Sequence, residues 1–428
     1  MKGDSEREIE EWCLERVGKE KFKRGALRLK RVLIPYLESF KQKNMYVVTV
    51  GGTNGKGETV YTLSHLLKER GIRHVLWVSP HVLTIRERIS ADGEMISYEK
   101  LFELLKSEYA RVIAMGEEVS YYELMLCAFL AYIDSFPKGT IEVCLLEVGL
   151  GGRLDGVNLL DADLTAVTSI SRDHQDVLGP EYCMILKEKL GITRRGAPLV
   201  SALELNYCQE ITEEFCRDKG VEWIDLFREG ALTKSDSFSD RNKLLALVLD
   251  KIIVRDFDIS ELSLLRKQVE SEEMRALSFK GRSEKWSVRG RELLFFGSHN
   301  IDGARKLVQL MQGRSSKVDR LLVALSKRSY AEEPMHILRA LYSLLQSGIV
   351  KEIVLTEFQH QKAMKIDDDF LRNFSENSGV SLKEINRVLN WKEWILSEEL
   401  QGQQVLVTGS YYFIGCVQEF IQKQEELS

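Results

Sequence analysis

Residues 51–57 read Gly-Gly-Thr-Asn-Gly-Lys-Gly, a set of small residues around one lysine that suits a bound polyphosphate. Glycines let backbone N–H groups approach an anion closely, a following helix N-terminus favours negative charge, and Lys56 adds a full positive charge. The chemistry this suggests is the handling of a nucleoside triphosphate. The pattern G-x-x-x-x-G-K-[ST] would need Gly at position 50 and Ser or Thr at position 57. Val50 and Gly57 stand there instead, and Glu58 follows. Taken alone, the same residues also suit a tight turn between a buried strand and a helix.

Other polar residues stand at the ends of apolar runs. Residues 145–155 read Leu-Leu-Glu-Val-Gly-Leu-Gly-Gly-Arg-Leu-Asp, so a hydrophobic run ends on Glu147 and enters three glycines. In open parallel sheets, ligands bind outside the carboxyl ends of the strands. A carboxylate there, beside a polyphosphate, holds Mg²⁺ directly or through water; the alternative is a structural pair between Glu147 and Arg153. Residues 164–174 form another such run, ending at Asp173 and His174. His174 reads either as a metal ligand or as a hydrogen-bonding loop residue, and imidazole suits Zn²⁺ better than Mg²⁺. Ser79 begins Ser79-Pro80-His81, whose hydroxyl could reach a metal or phosphate, or which could simply open a turn. Lys189 lies at an expected helix end capped by Gly191, a common place for lysine. Gly281-Arg282-Ser283-Glu284 and Gly297-Ser298-His299-Asn300 flank a later strand, and Arg282 has the fork geometry for a phosphate.

These positions need a scaffold of alternating strands and helices. Residues 47–50, 75–78, 141–147 and 164–170 read as strands, with weaker ones at 198–202 and 221–225. Helices are expected at 125–133 and 242–253, with a polar loop at 232–240. Apolar strands alternating with helices imply a mostly parallel sheet covered on both faces, an α/β fold. A second set follows, with strands at 286–296, 321–325, 349–356 and 405–409 and helices at 304–312, 333–346 and 412–423. The chain of 428 residues exceeds what one hydrophobic core serves, so two domains are expected, 1–278 and 279–428.

Composition narrows the classes. A net charge of −5 without a basic tract argues against a nucleic-acid binder. No apolar run is long enough to span a bilayer, so no membrane partner is expected. The seven cysteines are scattered and never spaced C-x-x-C, which fits a reducing cytoplasm and small core residues.

Together these segments resemble the folylpolyglutamate synthase/dihydrofolate synthase family, within the Mur-ligase superfamily of ATP-dependent amide-forming enzymes. The motifs that carry the resemblance run in order: V-G-G-T-N-G-K-G, S-P-H-V-L-T-I-R-E-R-I, L-L-E-V-G-L-G-G-R-L-D-G-V-N, S-R-D-H-Q-D-V-L-G, K-E-K-L-G-I, R-N-K-L-L-A-L, G-R-S-E, G-S-H-N and V-L-V-T-G-S. The resemblance implies a P-loop-type N-terminal ATP-binding domain and a smaller Rossmann-like C-terminal ligase domain. It implies that Gly52, Thr53, Asn54, Gly55, Lys56 and Gly57 cradle ATP phosphates, with Asn242, Arg282 and His299 as further nucleotide contacts. Ser79, Glu147 and His174 match Mg²⁺-holding positions, and Lys189 matches a lysine carbamylated in the family. Lys56, Lys189 and His174 are the residues it implies for catalysis.

The implied reaction joins L-glutamate to a folate or dihydropteroate carboxylate through an acyl phosphate, in a cytoplasmic monomer. The departures are Glu58, where the family has Ser or Thr; Phe296, where it has Asp; Ser326-Lys327-Arg328 for its D-K-D loop; and Gln361-Lys362-Ala363-Met364 for R-A-M. They motivate two alternatives: an amide ligase for a non-folate acid, and a non-catalytic nucleotide-binding relative.

Overall fold

The computed structural model describes residues 2–18, 26–277, 284–313, 317–327, 332–360, 362–381 and 384–426. The chain divides into two compact units, Met1–Ser171 with Pro180–Leu277, and Arg172–Gly179 with Ser278–Ser428. The expected boundary at 278, together with Arg282, Arg328 and Gln361, lies outside the described residues.

The first unit is built on eight strands: β1 (Tyr46–Gly51), β2 (His74–Trp77), β3 (Ile89–Ala91), β4 (Glu94–Met95), β5 (Val143–Glu147), β6 (Leu164–Val167), β7 (Leu199–Ser201) and β8 (Trp223–Asp225). Their order in the sheet is β4-β3-β2-β5-β1-β6-β7-β8. All pairings are parallel except those of β3, which runs antiparallel to β2 and β4.

Alternation along the strands sorts their side chains between two cores. Val47, Cys144 and Leu146 face one layer, with Leu33, Leu124 and Phe129 from the helices Ala26–Lys43 and Tyr121–Asp134. Val48, Val50, Leu145 and Ala166 face the other, with Leu63, Leu67, Leu244 and Val248 from the helices Lys56–Glu69 and Phe238–Ile253. Both faces of the central strands are therefore dry, as their near-continuous apolar sequences require.

Local chemistry sets the helix ends. Ser120 and Glu123 form a capping box, so the helix expected at 125–133 begins at Tyr121. Ser237 accepts the Asp240 N–H, so residues 238–240, expected in a loop, open the helix Phe238–Ile253. Gly191 ends the helix Tyr182–Leu190 in right-handed conformation, not as a left-handed cap. Space explains the glycine there: a Cβ would lie 2.4 Å from the Arg153 Cβ.

The second unit carries a six-stranded sheet: β9 (Glu284–Val288), β10 (Arg291–Gly297), β11 (Val318–Ala324), β12 (Val350–Thr356), β13 (Ile385–Val388) and β14 (Gln404–Gly409), in the order β13-β12-β11-β14-β10-β9. Only β9 is antiparallel to its neighbour. The single strand expected at 286–296 is a hairpin. Arg289 and Gly290 both take positive φ, which turns the chain between β9 and β10. Helices Ile301–Gln312 and Glu333–Gln346 cover one face; Trp391–Leu396 and Tyr411–Glu426 cover the other.

All seven cysteines are free, and Cys13, Cys127, Cys144, Cys208 and Cys216 are buried. Among the described residues, no helix is long and apolar enough to cross a membrane.

Leu145 is fully buried in β5, beside β1. Leu145→Ala should cost about 2–5 kcal/mol of unfolding free energy, measured by denaturant titration, because close neighbours on both sides limit collapse of the cavity.

Candidate functional site

Strand order builds the site. β1 lies between β5 and β6, with Val50 opposite Glu147 and Gly51 opposite Val167. The chain leaving β1 therefore emerges directly beside the carboxyl ends of both neighbours, the edge where open parallel sheets bind ligands.

Two glycines make the loop possible. Gly52 has φ +140°, and a Cβ on it would lie 1.9 Å from the Thr168 Oγ1. Gly55 has φ +98°, and its Cβ would lie 2.2 Å from the Asn242 Oδ1. The polar residues after β6 then hold the loop. Thr53 N–H donates to the Ser169 carbonyl at 2.7 Å, and Asn54 N–H to Ser169 Oγ at 3.0 Å. Thr168 Oγ1 donates to the Asn54 carbonyl at 2.8 Å, and Ser171 N–H to Thr53 Oγ1 at 3.0 Å.

Two cations sit on this loop. Lys56 opens the helix Lys56–Glu69, and its Nζ reaches the carbonyls of Gly52 and Thr53, both at 3.1 Å. Lys189, buried in the helix Tyr182–Leu190, places its Nζ 2.7 Å from the same Gly52 carbonyl. An α-helix leaves its first N–H groups without intrahelical acceptors. The backbone from Gly55 to Gly57 thus combines a helix N-terminus with nearby positive charge, the chemistry of an anion cradle.

Glu147 ends β5 and is 3% exposed. Its Oε2 accepts the Ser79 N–H at 2.8 Å, joining the ends of β5 and β2. The alternative partner, Arg153, pairs instead with Glu188, at 3.0 Å through Nε and 2.7 Å through Nη2. Ser79 Oγ is buried and has no hydrogen-bond partner among the described residues. A buried hydroxyl without a partner beside a buried carboxylate is a hard oxygen donor pair, and it fits Mg²⁺, which takes few protein ligands and completes its shell with phosphate oxygens and water. Among the described residues, no three His, Cys, Asp or Glu side chains converge as a metal cage.

Glu58 turns away from the cradle. Its Oε1 accepts from Ser239 Oγ at 2.5 Å and its Oε2 from Asn242 Nδ2 at 2.7 Å. Asn242 is thereby held between Glu58 and the backbone of Gly55.

The loop after Glu147 has its own organiser. Asp155 accepts from the N–H groups of Gly149 (3.0 Å), Leu150 (2.9 Å) and Val157 (3.0 Å), and from the Tyr122 hydroxyl (2.7 Å). Burial pushes the Asp155 carboxyl up from its ordinary pKa, opposed by those hydrogen bonds. The Tyr122 hydroxyl is also pushed up, by burial and then by Asp155.

The structure groups His174 with the second unit, in the segment Arg172–Gly179. Its φ is +51°, and its N–H donates to Asp173 Oδ1 at 2.9 Å. Asp173 Oδ2 accepts from Asn300 Nδ2 at 3.2 Å and lies 3.5 Å from His299 Nε2. The His299 ring packs on Tyr411, 4.9 Å between centroids. Phe296 packs against the hydrophobic core on one face of the second sheet. The first unit thus gathers Lys56, Lys189, Ser79, Glu147 and Asn242, and the second gathers His174 and His299.

Sequence reasoning missed Thr168, Ser169, Asp155, Tyr122 and Ser239. The available signal was polar residues packed immediately after an apolar strand, as in Thr168-Ser169-Ile170-Ser171.

No family model matches the chain. It is 28% identical over 409 residues to the dihydrofolate synthase/folylpolyglutamate synthase of Bacillus subtilis, covering 88% of this chain and 91% of that one. Its fold is similar to that of Mycobacterium tuberculosis folylpolyglutamate synthase complexed with ADP, with a TM-score of 0.79 at 18% identity, over 98% of this chain and 99% of the other. It is also similar to a bifunctional folylpolyglutamate synthase/dihydrofolate synthase from Yersinia pestis complexed with AMPPNP and a Mn ion, with a TM-score of 0.71 at 23% identity, over 96% and 97%.

Because Glu58 binds Asn242 rather than facing the cradle, Glu58→Ala should weaken ATP-analogue binding about threefold to tenfold, read by calorimetry. Glu58→Gln, which keeps one acceptor, should fall between it and the parent. Tighter binding in Glu58→Ala would mean that the carboxylate repels the phosphates.

Proposed function

We propose that the chain is a member of the folylpolyglutamate synthase/dihydrofolate synthase family and an ATP-dependent ligase joining L-glutamate to a folate or dihydropteroate carboxylate. The observation that carries this reading is the convergence of Lys56, Lys189 and Glu147 on the loop leaving β1.

In this reading Gly52, Thr53, Asn54, Gly55, Lys56 and Gly57 hold the triphosphate, and Asn242 supports the nucleotide side of the loop. Arg282 and His299 are further proposed nucleotide contacts. The acceptor carboxylate attacks the γ-phosphorus and ADP leaves, giving an acyl phosphate. The glutamate amine then attacks the acyl carbon, phosphate leaves, and the amine proton is released. Lys56 offsets negative charge on the phosphoryl group in flight, so its contribution is positioning and electrostatics. Ser79, Glu147 and His174 are the proposed cation ligands, and a bound Mg²⁺ would neutralise phosphate charge as a Lewis acid. No side chain is assigned as a covalent nucleophile.

Lys189 has a further proposed role, as a carbamate. A carbamylated lysine keeps one N–H, which can still donate to the Gly52 carbonyl 2.7 Å from its Nζ. It would place a second carboxylate-like group near the cradle. Labelled bicarbonate should give a carbamate signal by carbon NMR in the parent protein and none in Lys189→Ala. Absence of the signal in an active parent would end that assignment.

The main experiment measures ADP release and product mass with ATP, Mg²⁺, L-glutamate and a panel of acids: dihydropteroate, tetrahydrofolate and non-pterin carboxylates. ADP should form only when a pterin acid and glutamate are both present. Lys56→Ala and Glu147→Gln should each lower kcat about 10²- to 10³-fold. Turnover with a non-pterin acid alone would shift the assignment to another amide ligase. ATP binding without turnover on any acid would favour a non-catalytic relative.

A further inference from the structure

The two strand ends that carry Ser79 and Glu147 share a further contact. Tyr122, from the helix Tyr121–Asp134, sets its ring between them. On one side the ring meets Trp77, the last residue of β2 and two residues before Ser79, edge to face at 5.6 Å between centroids. On the other it lies on the backbone of Gly149, two residues after Glu147. A Cβ on Gly149 would sit 2.8 Å from the Tyr122 Cε2, so only glycine admits the ring there. The hydroxyl then donates to Asp155 Oδ1 at 2.7 Å. Asp155 Oδ2 in turn accepts the N–H groups of Gly149 and Leu150 at 3.0 and 2.9 Å.

We propose that Tyr122 and Asp155 are positioning residues that clamp the ends of β2 and β5 and so fix the spacing of Ser79 Oγ and the Glu147 carboxylate for a divalent cation. The proposal rests on the reading of Ser79 and Glu147 as cation ligands. The physical need is specific. Both donors sit where strand hydrogen bonding gives out, and Glu147 runs directly into Val148-Gly149-Leu150-Gly151-Gly152, a stretch with little intrinsic stiffness. Four hydrogen bonds to one buried carboxylate replace the missing ladder. The aromatic edge contact ties that loop to the neighbouring strand end. Groups that orient metal ligands without touching the metal are worth about 10- to 100-fold in metal affinity.

The test is Mn²⁺ affinity, read from the electron paramagnetic resonance signal of free ion in the presence of a non-hydrolysable ATP analogue. Tyr122→Phe keeps the ring and removes only the hydroxyl. It should weaken Mn²⁺ binding about tenfold, while leaving metal-free binding of the analogue and the thermal midpoint close to the parent values. Asp155→Asn should weaken Mn²⁺ binding in the same direction, and it carries the test if Tyr122→Phe does not fold. Parent-like Mn²⁺ affinity in these variants, with affinity lost in Glu147→Gln, would overturn the clamp and leave the cation site standing. Parent-like affinity in Glu147→Gln would overturn the cation site, and the clamp with it.

Discussion

Placement of β1 between β5 and β6 is the constraint from which the site follows. Parallel pairing in that register sets Val50 level with Glu147 and Gly51 level with Val167. Neither neighbour follows β1 directly in the chain, so strands ending at Gly51, Glu147 and Val167 meet at one edge. Burial holds them there, because the central strands are covered by helices on both faces. Sliding one strand by a single residue would turn its core-facing side chains to the other layer. The position of Glu147 relative to the loop is thus as firm as the packing of Val48, Leu145 and Ala166 beneath it.

On that frame the loop is an electrostatic device with its polarity arranged in advance. The Gly52 carbonyl holds the side-chain nitrogens of both Lys56 and Lys189, which brings the two side chains together on one side of the loop. Glu58, the carboxylate that most threatens an anion site, is satisfied by Ser239 and Asn242. A substitution that looks repulsive along the chain becomes a tether once its partners are known. Phe296 is a different kind of departure. It joins a hydrophobic core and offers no polar group for a nucleotide.

Much of this was legible beforehand. Apolar runs of four to seven residues, punctuated by glycine and alternating with amphipathic segments, mark buried parallel strands, and the runs at 47–50, 164–170 and 405–409 all contain strands. Boundaries were less legible where side chains decide them: Ser120 and Ser237 start their helices earlier than hydrophobic periodicity suggests. The run at 286–296 conceals a turn, since Arg289 accepts positive φ beside Gly290 and nothing in its apolar pattern announces that. In the site, glycines and a lysine identify the cradle by type alone. The groups that hold it are ordinary hydroxyls and one aspartate, whose roles depend on partners far along the chain.

By itself, the sequence determined which side chains occupy the element ends, since local periodicity and turn residues place Glu147 at the end of one strand, Ser79 just past another, and Lys56 at the start of a helix. Tertiary structure alone decided which strand ends are neighbours, that Arg153 pairs with Glu188 and not Glu147, and that Glu58 binds Asn242. The reason is physical: hydrogen bonds between strands and contacts between a loop and a distant helix are chosen by the burial of whole faces, and no stretch of consecutive residues records that choice.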